Sequence, residues 1–391
     1  MDSNKSSLPP GWIIKTFSKC IEKEASSNKL KIPQKDFKES GKFAIVDQSM
    51  NFIAGYTDNS QKVYDGELPV VIFGDHTRIF KYVDFPFSLG ADGTKILVPR
   101  KDILVPKYFY FFLKGLRIES HGYSRHFKFL KEKEITIPPL ENQKKIVAIL
   151  EKAEMLKEWR KEADALTDEY LKSVFLEMFG DPVRNPKGWD LKPISDGVNR
   201  LYNGANFTKN DYLDNGIPVI SKGDIKTNMK MIFDKKELKY VSEEYVVQNK
   251  LKYAQKNDLI IATRDLSIKA DFLGLVGIVN GNENYVLNQG CSIIDINRNY
   301  FSKEYLAMLS NTNYYRAFVK KNMIGSTQVH LRIKSFLNFI VPHPPIEEQE
   351  KFSGIVDGVE QMRGYQKQSK QQIENLFDTL MQKAFRGELA C

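Results

Sequence analysis

The segment Pro138-Pro139-Leu140-Glu141-Asn142-Gln143-Lys144-Lys145-Ile146 is written a second time as Pro344-Pro345-Ile346-Glu347-Glu348-Gln349-Glu350-Lys351-Phe352, a shift of 206 residues. At the same shift Tyr170, Leu171, Val174, Phe175, Met178 and Phe179 fall on Leu376, Phe377, Leu380, Met381, Ala384 and Phe385. The register therefore holds for about 40 residues without a gap. A duplication on this scale restricts the architecture more than any local propensity does.

Each copy predicts one long helix. The double proline cannot continue a helix on its N-terminal side, and acidic residues follow in the first turn, where the helix dipole favours them. Apolar residues at Ile146, Leu150, Ala153 and Leu156, then Ala163, Leu166, Tyr170 and Val174, step mostly by three and four, as one helical stripe does. A helix over residues 141–179 would be on the order of 58 Å long at about 1.5 Å per residue, too long for an ordinary domain core. Its middle, residues 157–162, is mostly charged, and residues 363–370 of the second copy are polar and basic. Two such helices most economically bury their stripes against each other as a coiled coil.

The segments ahead of the helices also correspond. Pro10-Gly11-Trp12 matches Lys187-Gly188-Trp189 at a shift of 177, so the second segment is about 29 residues longer. Strand-like runs at residues 68–73 and 95–98 in the first, and at 217–220, 259–263, 275–279 and 291–296 in the second, precede aromatic-rich helical stretches at 107–116 and 303–321. A glycine turn at Gly122 or Gly325, a polar basic segment and the double proline follow. The expected fold is two α/β (α+β) globular domains, residues 1–136 and 182–343, separated by two long coiled-coil helices, residues 137–181 and 344–391, in an internal pseudo-twofold repeat.

The chain has 391 residues, 42% of them hydrophobic, enough for several cores. Its net charge of +9 suits a polyanionic partner. Cys20, Cys291 and Cys391 lie far apart and show no metal-ligand spacing, so neither a disulfide framework nor a zinc site is indicated. No stretch approaches the roughly 18 apolar residues that span a membrane, and the N-terminus has no apolar signal core. A soluble cytoplasmic protein without a membrane partner is expected.

Catalytic motifs are missing from the sequence. There is no GxxxxGK[ST] phosphate loop, HExxH, Gly-x-Ser-x-Gly elbow, or GxGxxG after a strand, and no Asn/Asp-Pro-Pro-Tyr/Phe of an adenine methyltransferase. Gly274-Leu275-Val276-Gly277 reads as a strand with small residues. For a metal-dependent nuclease, the runs Glu22-Lys23-Glu24 and Glu132-Lys133-Glu134 have the wrong order and Glu39-Ser40-Gly41-Lys42 the wrong spacing. The histidines, His76, His121, His126, His330 and His343, read as surface or DNA-facing groups in loops. A non-catalytic protein follows.

The repeated Pro-Pro-Leu/Ile-Glu-x-Gln and its long helix, each copy preceded by a globular segment opening with Gly-Trp, resemble the specificity (S) subunits of Type I restriction-modification systems. The resemblance covers about residues 8–389. It implies two target recognition domains, each reading one half of a split double-stranded DNA target, and helical spacers that pair as an antiparallel coiled coil, set the gap and dock methyltransferase subunits, two per chain. Restriction subunits are further implied partners. No cofactor is expected on this chain; S-adenosylmethionine, ATP and magnesium are expected on the partner subunits. Ile217-Pro218-Val219-Ile220-Ser221-Lys222-Gly223-Asp224-Ile225 looks like the matching stretch of many family domains, and Val71-Ile72-Phe73-Gly74-Asp75-His76-Thr77-Arg78 like that of another subgroup. Asn142 departs from the acidic residue usual at its place.

Candidate DNA-binding residues lie in polar loops: His76, Thr77, Arg78, Ser124, Arg125, His126 and Lys128 in the first domain, and Lys222, Arg264, Ser326, Thr327, Gln328, His330 and Arg332 in the second. Their donors suit bases or phosphates. Asp75, Asp224 and Asp265 would repel phosphate, and read as structural. The competing reading is a coiled-coil scaffold for other proteins that never touches DNA.

Overall fold

Both long helices begin directly after their double prolines in the computed structural model: Leu140–Phe179, of 40 residues, and Ile346–Arg386, of 41. The structure describes residues 8–22, 31–90, 93–119, 125–234 and 236–389. Each long helix stops at a left-handed glycine, Gly180 (φ 81°) and Gly387 (φ 74°). A Cβ on Gly180 would stand 2.7 Å from Pro186 Cγ, and one on Gly387 would stand 2.5 Å from Pro9 Cδ, so the same helix-end packing occurs in both copies. The second helix thus closes onto the start of the chain.

The chain divides into two units, residues 1–160 with 368–391, and residues 161–367. Each contains half of both long helices. In the first unit Ile146, Leu150 and Ala153 share a core with Phe377, Met381 and Ala384, and Phe385 packs edge-on against Tyr108 and Phe112. In the second, Phe175 and Phe179 meet Phe352 at ring distances of 5.5 and 5.6 Å, beside Leu171, Val174, Val356 and Val359. Within each unit the helix halves therefore run antiparallel.

The seam departs from the expected stripe in its second part. Leu166 and Tyr170 are 57% and 51% exposed, whereas Thr167, Leu171, Val174 and Phe175 are buried. The buried positions Gln143, Ile146, Leu150, Ala153, Thr167, Leu171 and Val174 fit a strict 3.5-residue repeat that passes through partly buried Lys157, Arg160 and Asp164. The apolar residues drift off that repeat where the seam turns polar. There Gln366 Nε2 donates to Thr167 Oγ1 (2.9 Å), and Asp168 Oδ1 accepts from Arg363 and Lys230 (2.5 Å each).

The duplication extends into the globular parts. Strand Ile13–Thr16 pairs antiparallel with Glu134–Ile137, and Asp190–Pro193 pairs in the same manner with Ile340–His343. The first unit adds an antiparallel sheet ordered Phe80–Val83, Val70–Gly74, Thr94–Leu97 and a mixed sheet ordered Lys31–Ile32, Phe87–Gly90, Phe43–Val46, Gly55–Thr57. The second unit has an antiparallel sheet ordered Val198–Asn203, Cys291–Ile296, Leu259–Ala262, Val276–Ile278. Helix Pro106–Gly115 fills the place expected at 107–116. The stretch 303–321 is two helices, Lys303–Leu309 and Asn313–Asn322, because Thr312 caps the second by accepting from Tyr315 N.

The glutamines shared by the two copies of the repeat tie these parts together. Gln143 Oε1 accepts from Val105 N (2.7 Å), and its Nε2 donates to the Ile103 and Pro138 carbonyls (2.8 Å each). Gln349 accepts from Ser302 N (2.9 Å) and donates to the Tyr300 and Pro344 carbonyls (3.1 and 2.9 Å). Both are fully buried.

Candidate nucleic-acid interface

In the first unit the candidates gather at the turn after strand Val70–Gly74. Gly74 N donates to the Ile79 carbonyl and Arg78 N to the Gly74 carbonyl, with Arg78 in the left-handed region (φ 62°). Thr77 is exposed, His76 and Arg78 half-buried. Arg78 Nη1 donates to the Ile118 carbonyl (3.0 Å), and His76 N donates to Gln48 Oε1 (3.2 Å). Asp75 is buried: its Oδ1 accepts from Phe127 N (2.7 Å), and its carbonyl is met by His126 N and, at 2.9 Å, by His126 Nδ1.

His126 corrects an expectation. It is 1% exposed and clamps the Asp75 turn instead of facing solvent, because its ring nitrogen is matched to a backbone acceptor 51 residues earlier. Arg125 beside it is exposed. Lys128 is exposed too, but in the short helix Phe127–Lys131 and not in a loop, with its ammonium 4.7 Å from the Phe129 ring. Ser124, with Gly122 and His121, lies outside the described residues.

Sequence reasoning passed over Lys81. Buried at 4% exposure, it donates to the Asn51 carbonyl (2.5 Å) and lies 3.7 Å from Asp47, holding the 47–53 segment that carries Gln48. Burial pulls its ammonium below the ordinary lysine value, against the opposing pull of Asp47. An alternating strand, Phe80–Val83, was the only signal, and it gives the lysine no partner.

In the second unit three short strands, ordered Arg264–Asp265, Val329–Leu331, Met323–Ile324, assemble most of the candidates. Arg264 stands opposite His330 across the ladder, so both are strand residues and not loop residues. Ser326, Thr327 and Gln328 form the exposed tip of the hairpin. The tip needs Gly325 (φ 109°), since a Cβ there would sit 2.0 Å from the Gln328 carbonyl oxygen. Arg332 is exposed just beyond, as the residue before helix Ile333–Leu337. Arg264 Nη1 donates to Gln289 Oε1 (2.9 Å).

Lys222 lies behind this surface. Its Nζ pairs with Asp265 Oδ1 at 2.8 Å, and Asp265 is 3% exposed. Burial pushes the Asp265 carboxyl up, but the Lys222 hydrogen bond and two backbone donors outweigh it and hold it below the ordinary range. Asp224 caps its own short turn by accepting from Ser221 N and Oγ (2.6 and 3.0 Å). The three aspartates thus have structural partners. Arg316 was also missed: its guanidinium donates to the Leu273 (2.5 Å) and Ala270 (2.6 Å) carbonyls and fixes the loop that leaves Asp265.

Residues 21–163 and 186–375 both match the family model of the Type I restriction modification DNA specificity domain. The chain belongs to this family. Among similar proteins is the specificity subunit of the Type I restriction enzyme EcoR124I/EcoR124II from Escherichia coli, 25% identical over 350 residues, 86% of this chain and 84% of that one. The specificity subunit of the MjaVIII enzyme from Methanocaldococcus jannaschii is 20% identical over 275 residues, 67% of this chain and 63% of that one. In fold, this specificity chain resembles the Type I S subunit of M. genitalium (TM-score 0.50, 15% identity, 98% of each chain). It also resembles a chain from a solved structure concerned with assembly and conformational transition of the type I R-M system (TM-score 0.56, 17% identity, 98% and 99%). As a DNA specificity subunit it leaves the DNA-free scaffold without support. Among the described residues no helix is long and apolar enough to cross a membrane, and no three His, Cys, Asp or Glu side chains are placed to hold a metal.

Proposed function

We propose that each unit reads one half of a bipartite duplex target, and that the long helices set the gap and dock two methyltransferase subunits. The observation that carries this is the three-stranded surface of the second unit, where exposed Arg264, His330 and the amide and hydroxyls of Ser326, Thr327 and Gln328 stand together. Their backbone is fixed from behind by the Lys222–Asp265 pair. Rigid placement of side-chain donors is what base-edge reading requires, and Arg332 adds a phosphate contact. In the first unit His76, Thr77, Arg78, Arg125 and Lys128 are the equivalent group, with His126 as their clamp. Ser124 belongs to the same proposed set.

Trp159, Leu166 and Tyr170 on the first long helix and Tyr365 on the second are 51–63% exposed. These large apolar residues supply the faces on which the methyltransferase subunits would sit. Methyl transfer and any cleavage then belong to partner chains, which would carry S-adenosylmethionine, ATP and magnesium; restriction subunits would join through them. This chain is read as non-catalytic.

Sequencing of methylated bases in cells carrying the chain with its methyltransferase subunits tests the reading. A methylated motif in two halves around a gap of unspecified bases is the expected result, and a continuous motif, or none, contradicts it.

A further inference from the structure

The loop following Asp265 combines rigidity with exposed apolar bulk. Leu266 and Ile268 are 67% and 63% exposed, although single apolar residues on a surface are ordinary and call for no explanation. These two share one loop that is fixed at several points. Asp265 accepts from Ser267 N (3.2 Å) and Phe272 N (3.0 Å), Arg316 holds the Ala270 and Leu273 carbonyls, and Ala270 is kept in the left-handed region at φ 54°. A non-glycine residue persists there only where its surroundings over-determine the backbone. The loop leaves the sheet after Asp265, whose strand neighbour Arg264 stands opposite His330, and Lys269 follows Ile268.

From this juxtaposition we propose that Leu266 and Ile268 read thymine, seating against C5-methyl groups in the major groove of the half-site bound by the second unit. The inference rests on the DNA-reading role proposed above. An A·T pair presents an apolar methyl there that the other pairs lack, and a preordered apolar tip meets it at little entropic cost. A duplex is favoured over a protein partner because exposed Arg264 precedes the apolar pair and exposed Lys269 follows it, beside the polar hairpin tip Ser326-Thr327-Gln328, which is where a polyanion would lie.

The test uses the full chain with its methyltransferase subunits and duplexes carrying its methylated motif, with the thymines of one half-site at a time replaced by uracil. Uracil in one half should weaken binding about fourfold per methyl removed. The double variant Leu266→Ser/Ile268→Ser should bind the unaltered duplex as weakly as the wild type binds the uracil duplex, and should no longer distinguish the two. Its salt dependence should stay unchanged, since no phosphate contact is lost.

Equal binding of both duplexes by the wild type overturns the proposal and needs no variant that must fold. So does a half-site without an A·T pair, continued discrimination by the variant, or a variant whose defect is loss of a methyltransferase subunit. A complex that selects no sequence at all would contradict the underlying DNA-reading role as well.

Discussion

Gln143 and Gln349, 206 residues apart, make the same three hydrogen bonds: each accepts one backbone N–H and donates to two carbonyls, one of them from the double proline ahead of its helix. Each thereby stitches the start of a long helix to the segment entering an aromatic-rich helix, Pro106–Gly115 or Lys303–Leu309. Leaving such buried groups unmet costs about 1–3 kcal/mol apiece. Gln143→Ala should speed hydrogen exchange in peptides covering residues 103–109 and leave 300–306 protected. Gln349→Ala should do the reverse, and unchanged protection in either variant would show that the stitch is not needed.

The Lys222–Asp265 pair predicts an asymmetric response. Lys222→Met leaves a nearly buried carboxylate without its cation and should cost about 3 kcal/mol in urea unfolding. Adding Asp265→Asn removes the charge but keeps an acceptor for only one of Ser267 N and Phe272 N, which bond different carboxylate oxygens, and should recover part of that loss. Equal instability of single and double variants would indicate that packing, not charge, is at stake.

The parts read correctly from the sequence are those whose cause is local or repeated. Proline, acidic first turns and apolar spacing announce the long helices, and the 206-residue register pairs Gln143 with Gln349. What the sequence concealed depends on distant partners. His126 is buried by the Asp75 backbone, Lys81 by the Asn51 carbonyl, and Arg316 acts on carbonyls over 40 residues away. Tyr170 falls on the stripe by its spacing and apolar bulk, yet Leu171 keeps the 3.5-residue phase and is the buried one.

Asp168 predicts a pH effect in acid. Burial pushes its carboxyl up, but Lys230 and Arg363 outweigh this and hold it below the ordinary aspartate range. A depressed folded value stabilises the chain above the unfolded value, about pH 4, and that stabilisation is lost as pH falls through the folded value. The stability difference between wild type and Asp168→Asn should be constant from neutral pH to about pH 4 and shrink below it. A difference as large at pH 3 as at pH 7 would contradict the assignment.

Helix length should be read out as DNA spacing. Inserting four residues within 157–162 adds close to one turn, roughly 6 Å, and rotates the later seam by only about 40°. The gap between methylated half-sites should lengthen by about one to two base pairs. A functional insertion variant with an unchanged gap would remove the spacing role from the first helix.

The central claim is that two separate units read two separate half-sites. Replacing residues 182–343 by the matching segment of another specificity subunit, then sequencing the methylated bases, tests it directly. One half of the motif should change to that of the donor while the other half and the gap stay as they were. A change in both halves, or in neither, would contradict a modular reader.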